Sequence, residues 1–150
     1  MKTIFDINTV AELVGRINSL QANSQAQWGK MDAYQMLKHC TIWEEWILGK
    51  NKPSYKQAFI GFIFGKMALK RMIKDEKPLD KNVPTSAQFK VKEKTGNIVA
   101  EKNKWIALIE EYEHYSNPGF IHDFFGKMTK EQIGYLNYKH TDHHLRQFNS

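Results

Sequence analysis

The chain holds one cysteine, Cys40, among its 150 residues. A single thiol cannot close an intramolecular bridge, so a disulfide scaffold is excluded and a reducing compartment fits the composition. Prolines number only four, too few for a polyproline or low-complexity segment. The longest apolar stretch, Ala58 to Gly65, falls well short of the ~20 residues that a membrane span requires. The opening Met1 to Asn8 shows no apolar core and no small-residue cleavage site of a secretory signal, so a cytoplasmic location is expected. Acids are the minority, 16 Asp and Glu against 22 Lys and Arg. Neither an internal repeat nor a sustained alternation of apolar and polar residues is found. What is present is ordinary for a globular chain: 41% apolar and 25% charged residues exclude disorder. The length suits one domain, residues 1–150.

Helix signals recur along the chain. Thr9-Val-Ala-Glu12 has the form of a capping box, and Val10, Leu13, Val14, Ile17 and Leu20 follow at helical spacing. Asp32-Ala-Tyr-Gln35 opens a second helix with Ala33, Met36, Leu37, Cys40, Trp43 and Ile47 on one stripe, and Gly49 and Pro53 bracket its end. A third runs from Asn97 or Ile98 to Tyr115 on Trp105, Leu108, Ile109 and Tyr112, and Ser116-Asn-Pro-Gly119 stops it. Thr129-Lys-Glu-Gln132 opens a last helix that runs nearly to the end of the chain. Between the second and third lies Lys50–Lys104, with fourteen Lys or Arg against five Asp or Glu. A further helix is expected there over Tyr55–Ile73, a brief extended stretch over Phe89–Lys92, and loop elsewhere. The fold class is all-α: a four-helix bundle with a long crossover that carries an extra helix.

Three of the six histidines, His140, His143 and His144, fall in the last helix. At 3.6 residues per turn His140 and His144 lie about 40° apart, one turn above the other. They share a face with Ile133, Leu136, Asn137 and Gln147. Two imidazoles at i and i+4 can grip one divalent ion, but a third ligand must come from elsewhere. His39, at the edge of the apolar stripe of the second helix, is the candidate. Three imidazoles would leave coordination positions open, as catalytic sites do. The competing readings are a buried, satisfied His39 and a basic cluster complementing the dipole at a helix C-terminus.

Trp28-Gly-Lys-Met-Asp-Ala-Tyr-Gln-Met-Leu-Lys-His39-Cys, followed by Phe125-Gly-Lys-Met-Thr129 and His140-Thr-Asp-His-His144-Leu-Arg-Gln-Phe148, resembles the DinB/YfiT-like superfamily, in one of its uncharacterised branches of small bacterial proteins. The likeness covers nearly the whole chain in motif order. It implies an up-down-down-up four-helix bundle and a metal triad of His39, His140 and His144; three imidazoles suit zinc, nickel or iron. It also implies a homodimer, and an activity like that of thiol-dependent S-transferases or metal-dependent hydrolases. Many relatives end the motif His-His-Arg-Gly-Gln, whereas Leu145 here precedes Arg146 and Gln147, so no role is carried over to the arginine. His143, Asn137 and Gln147 are expected behind the ligands rather than on the ion.

The transferase form would hold a low-molecular-weight thiol as thiolate against an electrophile in an aromatic lining. The hydrolase form would activate water. Glu44, Glu45, Asp142 and His122 qualify as bases by type alone, and Asp142 points away from His140 and His144. Cys40 on the buried stripe reads as a small core hydrophobe. Trp43, Trp46, Phe59, Phe62 and Phe64 could line a small-molecule pocket or fill the core. The alternative function is a non-catalytic, dimeric bundle that binds metal or an apolar ligand. Lys66, Lys70, Arg71 and Lys74 beside Phe62, Ile63 and Met67 form a pattern that can lie on acidic lipid or serve as a solvated face. No helix-turn-helix, zinc-finger or RNA-binding signature points to nucleic acid.

Overall fold

A computed structural model describes every residue from Met1 to Ser150. It is helical, with no strand: α1 is Ile7–Ser19, α2 Ala33–Ile47, α3 Phe59–Met72, α4 Ile98–Glu110 and α5 Lys130–Gln147. None of these helices is long and apolar enough to cross a membrane.

The caps explain where the helices begin. Asp32 opens α2 and Thr129 opens α5, each accepting from the Gln35 or Gln132 N–H and donating its own backbone N–H to that glutamine's Oε1. The start of α1 differs from expectation. Asp6, not Thr9, is the cap and accepts the Thr9 N–H at 2.8 Å, because a carboxylate makes the stronger, charge-assisted bond. Glu12 pairs instead with Lys2. Asn97 caps α4 by accepting from Ala100 N–H at 2.9 Å. The α-helix expected to reach Tyr115 ends at Glu110 and tightens into a 3-10 turn over Glu111–His114.

α2 packs along α4, and α1 lies across α4 and α5. Leu13 and Ile17, Met36 and Leu37, Trp105 and Ile109, and Leu136 and Leu145 close on one another in a single core. Each such aliphatic side chain stabilises the fold by about 1.5–3 kcal/mol on full burial. Cys40 is fully buried there, its Sγ 3.7 Å from Met36 Sδ, and burial pushes its thiol well above the ordinary cysteine value.

The crossover leaves α2 as an extended strap and enters α3 at Phe59, later than expected. Tyr55 donates to the Trp46 carbonyl at 2.7 Å and Ala58 N–H to the Asp123 carbonyl at 2.7 Å, so residues 55–58 are held out of the helix. The stretch expected to be extended at Phe89 begins instead as a 3-10 turn, Ala87–Phe89, closed by Phe89 N–H on Ser86 O. The turn drives the Phe89 ring into the core. Phe59, Phe62 and Phe64 fill no core: all three are exposed. The reason is the opposite face of α3, where a Cβ on Gly61 or Gly65 would collide with the Phe124 carbonyl. Only a bare backbone approaches that closely, so the glycines turn inward and the large residues outward.

Candidate metal centre

His39 comes from the middle of α2, and His140 and His144 from successive turns of α5. Although the two helices are about a hundred residues apart in sequence, one ring nitrogen of each histidine lies within 4.8 Å of the others. His39 Nε2 and His140 Nε2 are 3.2 Å apart. Two nitrogens bound to a tetrahedral ion at ~2.0–2.1 Å sit about 3.3 Å from each other, so this edge already has the dimension of a coordination polyhedron.

Hydrogen bonds behind the rings decide which nitrogen faces inward. His39 Nδ1 lies 2.9 Å from the Phe89 carbonyl. A carbonyl only accepts, so Nδ1 carries the proton and Nε2 presents its lone pair. Gln147 does the same for His144. Its Nε2 donates to the Trp28 carbonyl at 2.8 Å, which turns Oε1 toward His144 Nδ1 at 2.9 Å. Gly29 makes room for that amide: its φ is +83°, and a Cβ there would stand 2.6 Å from Gln147 Nε2. His140 has no such partner, since its Nδ1 is enclosed and unbonded. Its ring is instead stacked on Trp43 at 4.3 Å between centroids and 19° between planes. Trp43 is fixed in turn by Nε1–H donation to Asn137 Oδ1 at 2.8 Å.

Burial pushes all three imidazoles below the ordinary histidine value. For His39 the Phe89 carbonyl opposes the effect. His140 is driven well below, by burial first and then by its two neighbours, and His144 falls to about 3. At neutral pH the cluster is three uncharged imidazoles. That is the protonation state a divalent ion requires, and with carbonyl-type acceptors behind two rings the donor set fits a metal.

Beside the cluster lies a cavity of about 480 Å³ whose lining includes Trp43, Met72, Leu79, Phe89, Phe124 and Phe125. His122 and Asp123 form part of its wall in a tight turn, in which His122 and Gly126 exchange backbone bonds at 3.0 Å. His122 Nδ1 accepts from the Phe124 and Phe125 amides at 3.0 and 3.2 Å. Asp123 accepts from Gln88 at 3.1 Å.

Of the acids considered as bases, Asp142 is held by Arg16 and Arg146, each at 2.7 Å, and Glu45 by Lys104 at 3.0 Å. Glu44 is fully buried away from the cavity and accepts from Tyr112 Oη at 2.6 Å and Asn137 Nδ2 at 2.8 Å. Asn137 therefore touches Trp43 and Glu44 rather than a histidine. His143 sits edge-on to Trp28, with ring centroids 5.5 Å apart. The Phe89 carbonyl was not foreseeable, because a backbone acceptor carries no mark in the side-chain sequence. The burial of Glu44 could have been found: it stands four residues after Cys40 and three before Ile47 on the apolar stripe.

Fold and site together define an all-helical bundle with an inward-facing three-histidine cluster at the wall of a largely apolar cavity. The chain belongs to the family described as "Protein of unknown function (DUF1569)", whose model matches residues 2–150. No curated protein and no solved structure matches it.

Proposed function

We propose that this protein is a cytoplasmic, metal-dependent enzyme that acts on a small molecule, with His39, His140 and His144 holding one divalent ion. The carrying observation is the convergence of three neutral imidazoles, two of them oriented by carbonyl oxygens, at the wall of a largely apolar cavity. When bound, a divalent ion on three imidazoles acidifies a thiol or water in an open position. The resemblance to DinB/YfiT-like proteins favours the thiol, and so an S-transferase. Zinc, nickel and iron all suit the donor set.

The chain's own residues have separate tasks in this reading. Phe89 and Gln147 hold two ligands in one tautomer, and Trp43 sets the plane of the third. Trp43, Met72, Leu79 and the Phe124–Phe125 pair exclude water and seat the apolar part of an electrophilic substrate.

The test is metal content by plasma mass spectrometry on untagged protein, beside His39→Ala and His140→Ala. Near-stoichiometric metal in the wild type, lost from both variants, is expected. Turnover of electrophiles by the loaded protein with a panel of low-molecular-weight thiols is then expected as well. Folded wild type that takes up neither zinc nor nickel would overturn the metal site. Loaded protein inert toward every thiol pair would overturn the transferase, and inertness toward hydrolysable substrates as well would leave a non-catalytic metal-binding bundle.

A further inference from the structure

The feature least like an ordinary globular surface is α3. Phe59, Ile60, Phe62, Ile63, Phe64 and Met67 are all exposed, Phe59 to 81% and Phe62 and Met67 to 68%. At roughly 200 Å² for a fully exposed side chain of this size, the patch amounts to on the order of 700 Å². That exceeds the largest apolar patch of a typical monomer. The helix is held from behind through Gly61 and Gly65 on the backbone of residues 124–125, with Leu69. Its outward face is left whole.

Charge identifies what covers it. Between Glu45 and Asp75 there is no acid, and seven cations occur: Lys50, Lys52, Lys56, Lys66, Lys70, Arg71 and Lys74. Lys50 pairs with Glu111, and Lys74 has only the distant Asp75 oxygen at 3.9 Å. Lys66 donates to the Lys127 carbonyl. Lys52, Lys56, Lys70 and Arg71 form no ion pair. The cations flank the apolar turns at both ends of the helix. A second copy fits poorly: antiparallel pairing of α3 would set Lys66, Lys70 and Arg71 of each copy against the other's apolar first turns, with no acid on either helix to neutralise them. Nucleic acid would meet the cations and leave the phenyl rings bare.

We infer that α3 docks on the surface of an anionic phospholipid bilayer, its Phe and Ile side chains entering the headgroup–acyl boundary and its flanking lysines and Arg71 meeting lipid phosphates. The inference rests on this face alone and does not depend on the metal site.

The experiment is co-sedimentation of the full chain with large unilamellar vesicles, either phosphatidylcholine alone or an equal mixture with phosphatidylglycerol. Binding is expected on the anionic vesicles and not on the neutral ones, with loss at about 1 M NaCl, where the Debye length is ~3 Å. Lys70→Gln and Arg71→Gln should each weaken it about fivefold. Phe62→Ser with Ile63→Ser should abolish it without lowering the melting temperature, since both side chains are exposed. Absence of binding, equal binding to neutral vesicles, or indifference to the Phe62/Ile63 change would overturn the inference. So would a dimer in analytical ultracentrifugation that Ile63→Ser dissociates and vesicles do not.

Discussion

Glu44 offers the sharpest test of the interior. Its carboxyl is fully buried and pushed up from 4.5 to about 7, by burial first and against the bonds from Tyr112 and Asn137. A carboxyl whose pKa is raised on folding binds its proton more tightly in the folded state. It therefore favours folding most below pH 4.5, and that contribution is lost as pH rises to about 7 and is then constant. At about 1.4 kcal/mol per pH unit, the loss is about 3 kcal/mol. Glu44→Gln keeps the shape and the bonds. Oε1 can accept from Tyr112 and Asn137, as the carboxylate Oε2 does, while Nε2 can donate to Thr141 Oγ1, now 3.5 Å from Glu44 Oε1. The assay is urea unfolding of both proteins from pH 4.5 to 9. The wild type should lose about 3 kcal/mol relative to Glu44→Gln between pH 4.5 and 7, and nothing more above. The depressed histidines contribute in the opposite sense, gaining stability as pH rises toward their unfolded value, but they are common to both proteins and cancel in the difference. Parallel curves would refute a Glu44 that titrates near neutrality.

Three further outcomes are expected. Gly65→Ala should lower the melting temperature, because the collision with the Phe124 carbonyl costs about 1–3 kcal/mol and outweighs the ~1 kcal/mol helix preference for alanine; unchanged or raised stability would mean α3 can shift away. Trp43→Phe removes the donor to Asn137 Oδ1 and should cost about 1–3 kcal/mol in urea unfolding by leaving a buried acceptor unpaired; no loss would mean that Asn137 finds another donor. Gln147→Leu should leave the fold intact and weaken zinc binding about 10–100-fold by calorimetric titration, since it frees the His144 ring; equal affinity would show that the amide does not orient the ligand.

The helices were legible because their signals are local. Asp32-Gln35 and Thr129-Gln132 cap as written, and the stripes Met36-Leu37-Cys40-Ile47 and Trp105-Ile109-Tyr112 are buried as spaced. Periodicity exposes a face to view because successive side chains step by a fixed angle. At α1 the spacing of Thr9 and Glu12 pointed to the wrong cap, since Asp6, three residues before Thr9, accepts its N–H. His140 and His144 could be paired from their spacing, and the stripe of α2 made His39 a candidate that the resemblance strengthened, but only the tertiary structure brings the three ring nitrogens within 4.8 Å of one another. Tertiary structure alone decided three other things. It put the Phe89 carbonyl behind His39, because a backbone acceptor has no letter in the sequence. It sent Phe59, Phe62 and Phe64 outward, because which face of a helix whose first two turns are apolar all round turns inward depends on what it meets, here a loop that only glycine can approach. And it sealed Glu44 among Tyr112, Asn137 and Thr141, a burial that a carboxyl tolerates only when residues far away in the chain supply its hydrogen bonds.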